Sequence, residues 1–98
     1  MKSFQEFING ETPVLVDFFA QWCGPCKMMA PVLEELKKRL NNKIVILKID
    51  VDKNIALASS HQIQSVPTLM LWKQGKIVWR QSGALPLHEL ERILSPYL

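Results

Sequence analysis

The only two cysteines of the chain close the tetrapeptide Cys23-Gly24-Pro25-Cys26, directly after Trp22, where an apolar run gives way to a helix-forming segment. A helix N-terminus presents unpaired N–H groups and the positive end of the peptide dipole, so a thiolate there is stabilised and its pKa falls. Cys23 is thereby the expected nucleophile toward a disulfide. Cys26, one helical turn further on and expected to be the more covered of the two, is placed to attack the mixed disulfide that Cys23 forms, so that release needs no external thiol. Two other uses of a cysteine pair fit less well. A stapling disulfide that closes so short a loop removes only about 2 kcal/mol of chain entropy. Zinc wants four ligands, and the chain offers only His61 and His88, outside finger-like spacing, so no metal site is expected.

The elements that must hold this pair can be read from the pattern around it. Ser3 and Glu6 have capping-box spacing, Phe4, Phe7 and Ile8 recur at helical intervals, and Asn9-Gly10 has the residue types of a left-handed helix stop. After Pro13, the run Val14 to Ala20 is nearly continuous in apolar residues, as in a strand covered on both faces. From Pro25 to Leu40 the positions Met28, Met29, Val32, Leu33, Leu36 and Leu40 follow the 3.6-residue period, with Pro31 expected to kink the helix. Asn41-Asn42 punctuates, and Ile44 to Asp50 reads as a second buried strand. Asp52 to His61 is expected as a short helix with His61 exposed near its end, followed by a strand from Thr68 to Lys73, a turn at Gln74-Gly75, an antiparallel return over Lys76 to Ser82, and a last helix carrying Leu87, Leu90, Ile93 and Leu94. Early parallel strands and a late hairpin imply a three-layer α/β/α fold with a mixed central sheet, formed by residues 1–98 as one domain.

Composition narrows the function further. A chain of 98 residues with 48% hydrophobic and 21% charged residues has the size and make-up of one globular domain. The longest uncharged run, from Asn54 to Trp72, is broken by polar residues and Pro67, so no membrane-spanning helix is expected. The N-terminus lacks the apolar stretch of a signal peptide, which points to a reducing, cytoplasmic setting. The net charge of +3 is mild, and Lys37, Lys38 and Arg39 share their helix with Glu34 and Glu35. A mixed, solvated face is expected there rather than a nucleic-acid footprint.

The motif Trp-Cys-Gly-Pro-Cys-Lys, with Val16-Asp17-Phe18 upstream and Val66-Pro67-Thr68 and Gly83-Ala84-Leu85 downstream, resembles the thioredoxin family in order and spacing across nearly the whole chain. The resemblance implies a disulfide oxidoreductase that reduces disulfide-containing proteins. Thioredoxin reductase, an NADPH-dependent flavoenzyme, would recharge it, with no cofactor beyond the Cys23-Cys26 pair and a monomeric state. It further implies that Asp17 is the family's buried acid, serving the proton of Cys26. An ionised carboxylate inside an apolar strand is expensive, so burial should raise its pKa, although an Asp at a strand edge reaching solvent fits the residues too. Lys48 matches the lysine beside that acid; by itself it reads equally as a snorkelling surface residue. Pro67 matches the family's cis-proline, where base rates alone favour trans. Its role would be to expose the Val66 backbone so that an extended substrate pairs with it. Trp22, Gly24, Pro25, Gly83 and Ala84 would complete a shallow apolar landing surface, while Trp22 alone reads equally as core and Gly83 as a turn glycine.

The chain also departs from the family pattern. The N-terminal strand is absent or shortened to Met1-Lys2, leaving Ile44 to Asp50 as a possible exposed edge. Phe19 stands where the family often has tryptophan, and Trp79 is expected to pair across the hairpin with Trp72. Two other functions share these features. One is an oxidant or isomerase with the same exchange chemistry; the other is a thioredoxin-fold binding or redox-sensing subunit without turnover as its main role.

Overall fold

In a computed structural model of the chain, which describes residues 2–98, the run after Pro13 forms β1 (Val14–Phe19), buried along nearly its whole length. Two neighbours cover its edges. β2 (Val45–Asp50) runs parallel to it in the register Val14 to Val45 through Phe19 to Asp50, and β3 (Thr68–Lys73) runs antiparallel, with Val14 opposite Trp72 and Phe18 opposite Thr68. β4 (Lys76–Ser82) completes a mixed sheet of order β2-β1-β3-β4. A central strand covered on both faces explains the unbroken apolar run, because alternation is needed only where one face meets water.

The alternation of side chains along β1 divides the core in two. Leu15, Leu69 and Leu71 face α2 (Gly24–Leu40) and α4 (Leu87–Leu94), packing with Met29, Leu33, Leu36, Leu90 and Leu94. Val14, Val16, Phe18, Met70 and Trp72 face the other way, toward Ile8 of α1 (Phe4–Ile8) and Leu57 of α3 (Ile55–Ser60). Helices therefore cover both faces, and the three-layer α/β/α arrangement follows. Because the side-chain period of a strand is two, Asp17 shares the α2 face with Leu15.

Several local expectations need correction. The first helix carries its capping box, Ser3 Oγ accepting from Glu6 N–H at 3.2 Å and Glu6 Oε1 from Ser3 N–H at 3.3 Å, yet it ends on Asn9 at φ −84° rather than in a left-handed conformation. Left-handed backbone occurs instead at Asn41, Gln62, Gln74, Gly75 and Gly83. Gln74 and Gly75, both at positive φ, make the tight turn of the β3-β4 hairpin. A register shift between Leu71 and Trp72 sets Leu71 opposite Trp79 but Trp72 opposite Ile77. Because Trp79 stands opposite Leu71, the neighbour of Trp72, it packs with Leu71 on the α2 and α4 side while Trp72 packs on the opposite face, and the expected Trp72-Trp79 pair does not form. His61 is half-buried rather than exposed, set edge-on against Phe4 and Trp72 with ring centroids 5.5 and 5.7 Å away. Met28, assigned to the apolar face of α2, is 68% exposed, whereas Met29 beside it is buried.

Among the described residues no strand precedes α1, and β2 pairs only with β1, so its outer edge is open there. The expectation of a vestigial strand at Met1-Lys2 lies in part outside the described residues. No helix of these residues is long and apolar enough to cross a membrane.

Candidate active site

β1 delivers the chain to the site and α2 carries it away. Past Phe19, the Cys23 N–H donates to the Ala20 carbonyl at 3.2 Å, closing a turn that sets Cys23 as the N-cap of α2. Pro25 suits the first helical turn because its missing N–H would have had no intrahelical partner. The Cys26 N–H is one of the orphan donors of that turn, and it points at Cys23 Sγ, 3.1 Å away. The two cysteines form a disulfide with Cα atoms 5.3 Å apart. Once reduced, Cys23 Sγ sits where an N–H and the helix dipole both favour negative charge.

Exposure does not separate the two cysteines: Cys23 is 4% and Cys26 5% exposed. The expectation that Cys26 is the more covered one fails for this disulfide form. What distinguishes them is position, since only Cys23 caps the helix and receives the N–H.

The segment that leads into β3 forms the wall next to Cys23. The Val66-Pro67 peptide bond is cis, as the family resemblance implied and local base rates did not. Thr68 Oγ1 donates to the Ser65 carbonyl at 2.7 Å, and the Gly83 N–H donates to the Pro67 carbonyl at 2.8 Å, so the segment is tied at both ends. Cys23 Sγ lies 3.5 Å from the Val66 carbonyl oxygen, which brings the Cys23 end of the motif and the Val66-Pro67 segment together. Gly83 adopts φ +98°, a conformation that L side chains rarely take, so its identity has a backbone cause. Gly24 and Pro25, between the two cysteines, are exposed, as is Ala84.

Trp22 is 71% exposed and therefore no part of the core. Its indole N–H donates to Asp52 Oδ2 at 2.9 Å, which holds the ring in place beside the disulfide. Asp50 supports that arrangement, its Oδ1 accepting from the Asp52 N–H at 2.9 Å. Neither acid was singled out from sequence. Asp50 reads only as the end of a strand and Asp52 only as the start of a short helix, and no local signal connects either to a tryptophan about thirty residues earlier.

Asp17, on β1, is fully buried, with neither carboxylate oxygen hydrogen-bonded to another protein group. Burial pushes its pKa up to about 6, and the positive charge of Lys48 opposes this. Lys48 is the register partner of Asp17 on β2, and its ammonium lies 4.9 Å from the centre of the Phe19 ring. The pair therefore interacts through space without a direct ion pair. A cavity of about 240 Å³ lined by Cys26, Lys48, Phe19, Ala20, Gln21, Lys27 and Ala30 opens on this side of the motif, so Cys26 and the lysine opposite Asp17 share one space.

Comparison with known proteins agrees with this geometry. The family model described as Thioredoxin matches residues 1–96. The chain is 47% identical over 97 residues to the thioredoxin-like protein slr0233 of Synechocystis, covering 98% of this chain and 92% of that one. It is also 47% identical over 96 residues to a thioredoxin of Alicyclobacillus acidocaldarius, covering 98% and 91% of the two chains. Chloroplastic thioredoxin Y2 of Arabidopsis thaliana matches at 47% over 93 residues, which is 93% of this chain and 56% of the plant protein.

Proposed function

Because this chain belongs to the thioredoxin family and carries its disulfide at a helix N-cap, we propose that it reduces protein disulfides by dithiol-disulfide exchange, with Cys23 attacking and Cys26 resolving. The observation that carries the assignment of roles is the Cys26 N–H aimed at Cys23 Sγ, since it stabilises a thiolate on Cys23 alone. In the first step the Cys23 thiolate attacks one sulfur of the substrate disulfide. The substrate S–S bond breaks, a Cys23-substrate disulfide forms, and the other substrate sulfur leaves as a thiolate that takes a proton from solvent. In the second step Cys26 loses its proton and attacks Cys23 Sγ. The mixed disulfide breaks, and the remaining substrate sulfur leaves and is protonated. The substrate gains two electrons and two protons, and the enzyme ends as the Cys23–Cys26 disulfide. Thioredoxin reductase returns it to the dithiol.

Asp17 is the acceptor for the Cys26 proton. With a pKa raised to about 6 it is mostly ionised at neutral pH yet basic enough to take a proton, which is how a buried carboxylate serves as a general base. Lys48 holds that pKa from rising further. Substrate lies against Trp22, Gly24, Pro25, Gly83 and Ala84 and pairs its backbone with Val66, which Pro67 leaves open to strand addition. The mechanism's need for a reducing environment supports a cytoplasmic setting.

The test is reduction of a protein disulfide with a dithiol as electron source. Cys23→Ser is expected to abolish catalysis, and Cys26→Ser to accumulate the Cys23-substrate disulfide. A wild type no faster than the dithiol alone would reject turnover. In stopped flow, Asp17→Asn is expected to slow resolution by Cys26 more than the first attack by Cys23, and equal slowing of both steps would remove Asp17 from the role of base.

A further inference from the structure

The helix that begins at the active-site motif carries an apolar stripe that runs from the proposed substrate surface at Pro25 to residues to which the exchange chemistry gives no role. Pro25, Met28 and Val32 stand at i, i+3 and i+7 on α2 and so share one face leading away from the disulfide. Met28 is among the most exposed large apolar residues of the chain, although the helix has ample polar positions. Opposite it runs the segment from Ala84 to Pro86, and between them lies a groove of about 250 Å³ lined by Met28, Met29, Val32, Ala84, Leu85 and Pro86. No charged side chain lines it.

The groove is continuous with the surface at which a substrate must approach. Gly83 N–H binds the Pro67 carbonyl, and two residues later the Leu85 N–H donates to Met29 Sδ at 3.3 Å, so one short segment ties both the substrate-facing proline and the floor of the groove. A helix rise of about 1.5 Å per residue places Met28 roughly 5 Å and Val32 roughly 10 Å along the axis from Pro25. An extended peptide advances about 3.3 Å per residue, so those distances correspond to side chains two or three residues from the one at the disulfide.

We propose that this groove is a specificity subsite that takes an apolar side chain two or three residues from the reacting cysteine of the substrate. The inference rests on the reductase reading and adds a substrate preference to it. The lining decides the chemistry of the occupant: a charged side chain would lose water there and find no partner. Met28, unbranched and with a polarisable sulfur, adapts to leucine, methionine or phenylalanine alike, which suits a protein that acts on many substrates.

The test uses peptides with one cysteine in mixed disulfide with glutathione, carrying leucine or serine at each of the positions two and three residues to either side. The wild type is expected to favour leucine over serine at one of these positions by about tenfold in kcat/KM, the scale of one apolar side chain in a pocket. Met28→Glu is expected to erase that preference and Met28→Leu to keep it. Equal kcat/KM for leucine and serine peptides in the wild type, or a preference that survives Met28→Glu, overturns the subsite while leaving the reductase reading intact. A wild type that reduces none of the peptides and no small aromatic disulfide overturns the reductase reading, and the subsite with it.

Discussion

Replacing Asp17 by asparagine is expected to stabilise the protein, and to do so only above the pH at which the unfolded carboxyl ionises. In the folded chain the carboxyl is fully buried without a protein hydrogen-bond partner, and its pKa is raised from 3.8 to about 6. Below pH 3.8 the group is protonated in both folded and unfolded states, and its titration favours neither. Between pH 3.8 and about 6 the folded state holds the proton and the unfolded state does not, so stability falls as pH rises. Above this window the carboxylate is ionised in both states, and the folded state bears the full desolvation penalty. A difference of about two pKa units corresponds to roughly 3 kcal/mol, a large share of the stability of a small domain. Asparagine has the shape of the protonated acid and does not titrate. The measurement is urea unfolding of the oxidised wild type and Asp17→Asn from pH 4 to 8, which keeps the cysteines from titrating. The stability difference should be small near pH 4, grow through pH 6 and level off at about 3 kcal/mol in favour of the variant. Other groups titrate in both proteins and cancel. A difference that does not change with pH would refute the reasoning, because it would mean that the buried carboxyl is not what titrates.

Four further variants have outcomes that follow from the structure. Lys48→Met removes the charge that lowers the Asp17 pKa and is expected to move that pKa above about 6, read by carboxyl NMR of the oxidised protein; a fall would contradict the through-space account. Gly75→Ala places a side chain at φ +82° with its Cβ 2.7 Å from Asn9 Oδ1, and should lower stability by about 1–2 kcal/mol in denaturant unfolding. Gly83→Ala, at φ +98° but with open space around it, should show only the backbone part of that loss, and an equal loss at both sites would remove the role of the Asn9 contact. Leu71→Ala, fully buried between β1 and the helices, should lower stability by about 2–5 kcal/mol, and a loss below 1 kcal/mol would mean that the core closes over the space.

What the sequence determined by itself is what short-range chemistry encodes. Two cysteines separated by Gly-Pro at the start of an amphipathic helix already specify a thiolate position, because the helix N-terminus is a property of consecutive residues. Ser3 and Glu6 specify their cap for the same reason, and the continuous run from Val14 specifies a strand buried on both faces. The family resemblance implied a role for Asp17 and the apolar run around it implied burial, while how completely it is buried was set by the neighbours of β1. Tertiary structure alone decided that Trp22 is held by Asp52, that the hairpin register pairs Trp79 with Leu71 and so sets it on the face opposite Trp72, and that His61 meets Phe4 and Trp72. It also decided that Met28 lies open beside the segment from Ala84 to Pro86 while Met29 is buried. In each case the partners are distant in sequence, and their meeting depends on strand register and on which helix face the sheet leaves uncovered. A single residue of shift reverses every side chain of a strand, and a rotation of one position on a helix exchanges a core residue for a surface one, so residue type alone cannot settle either.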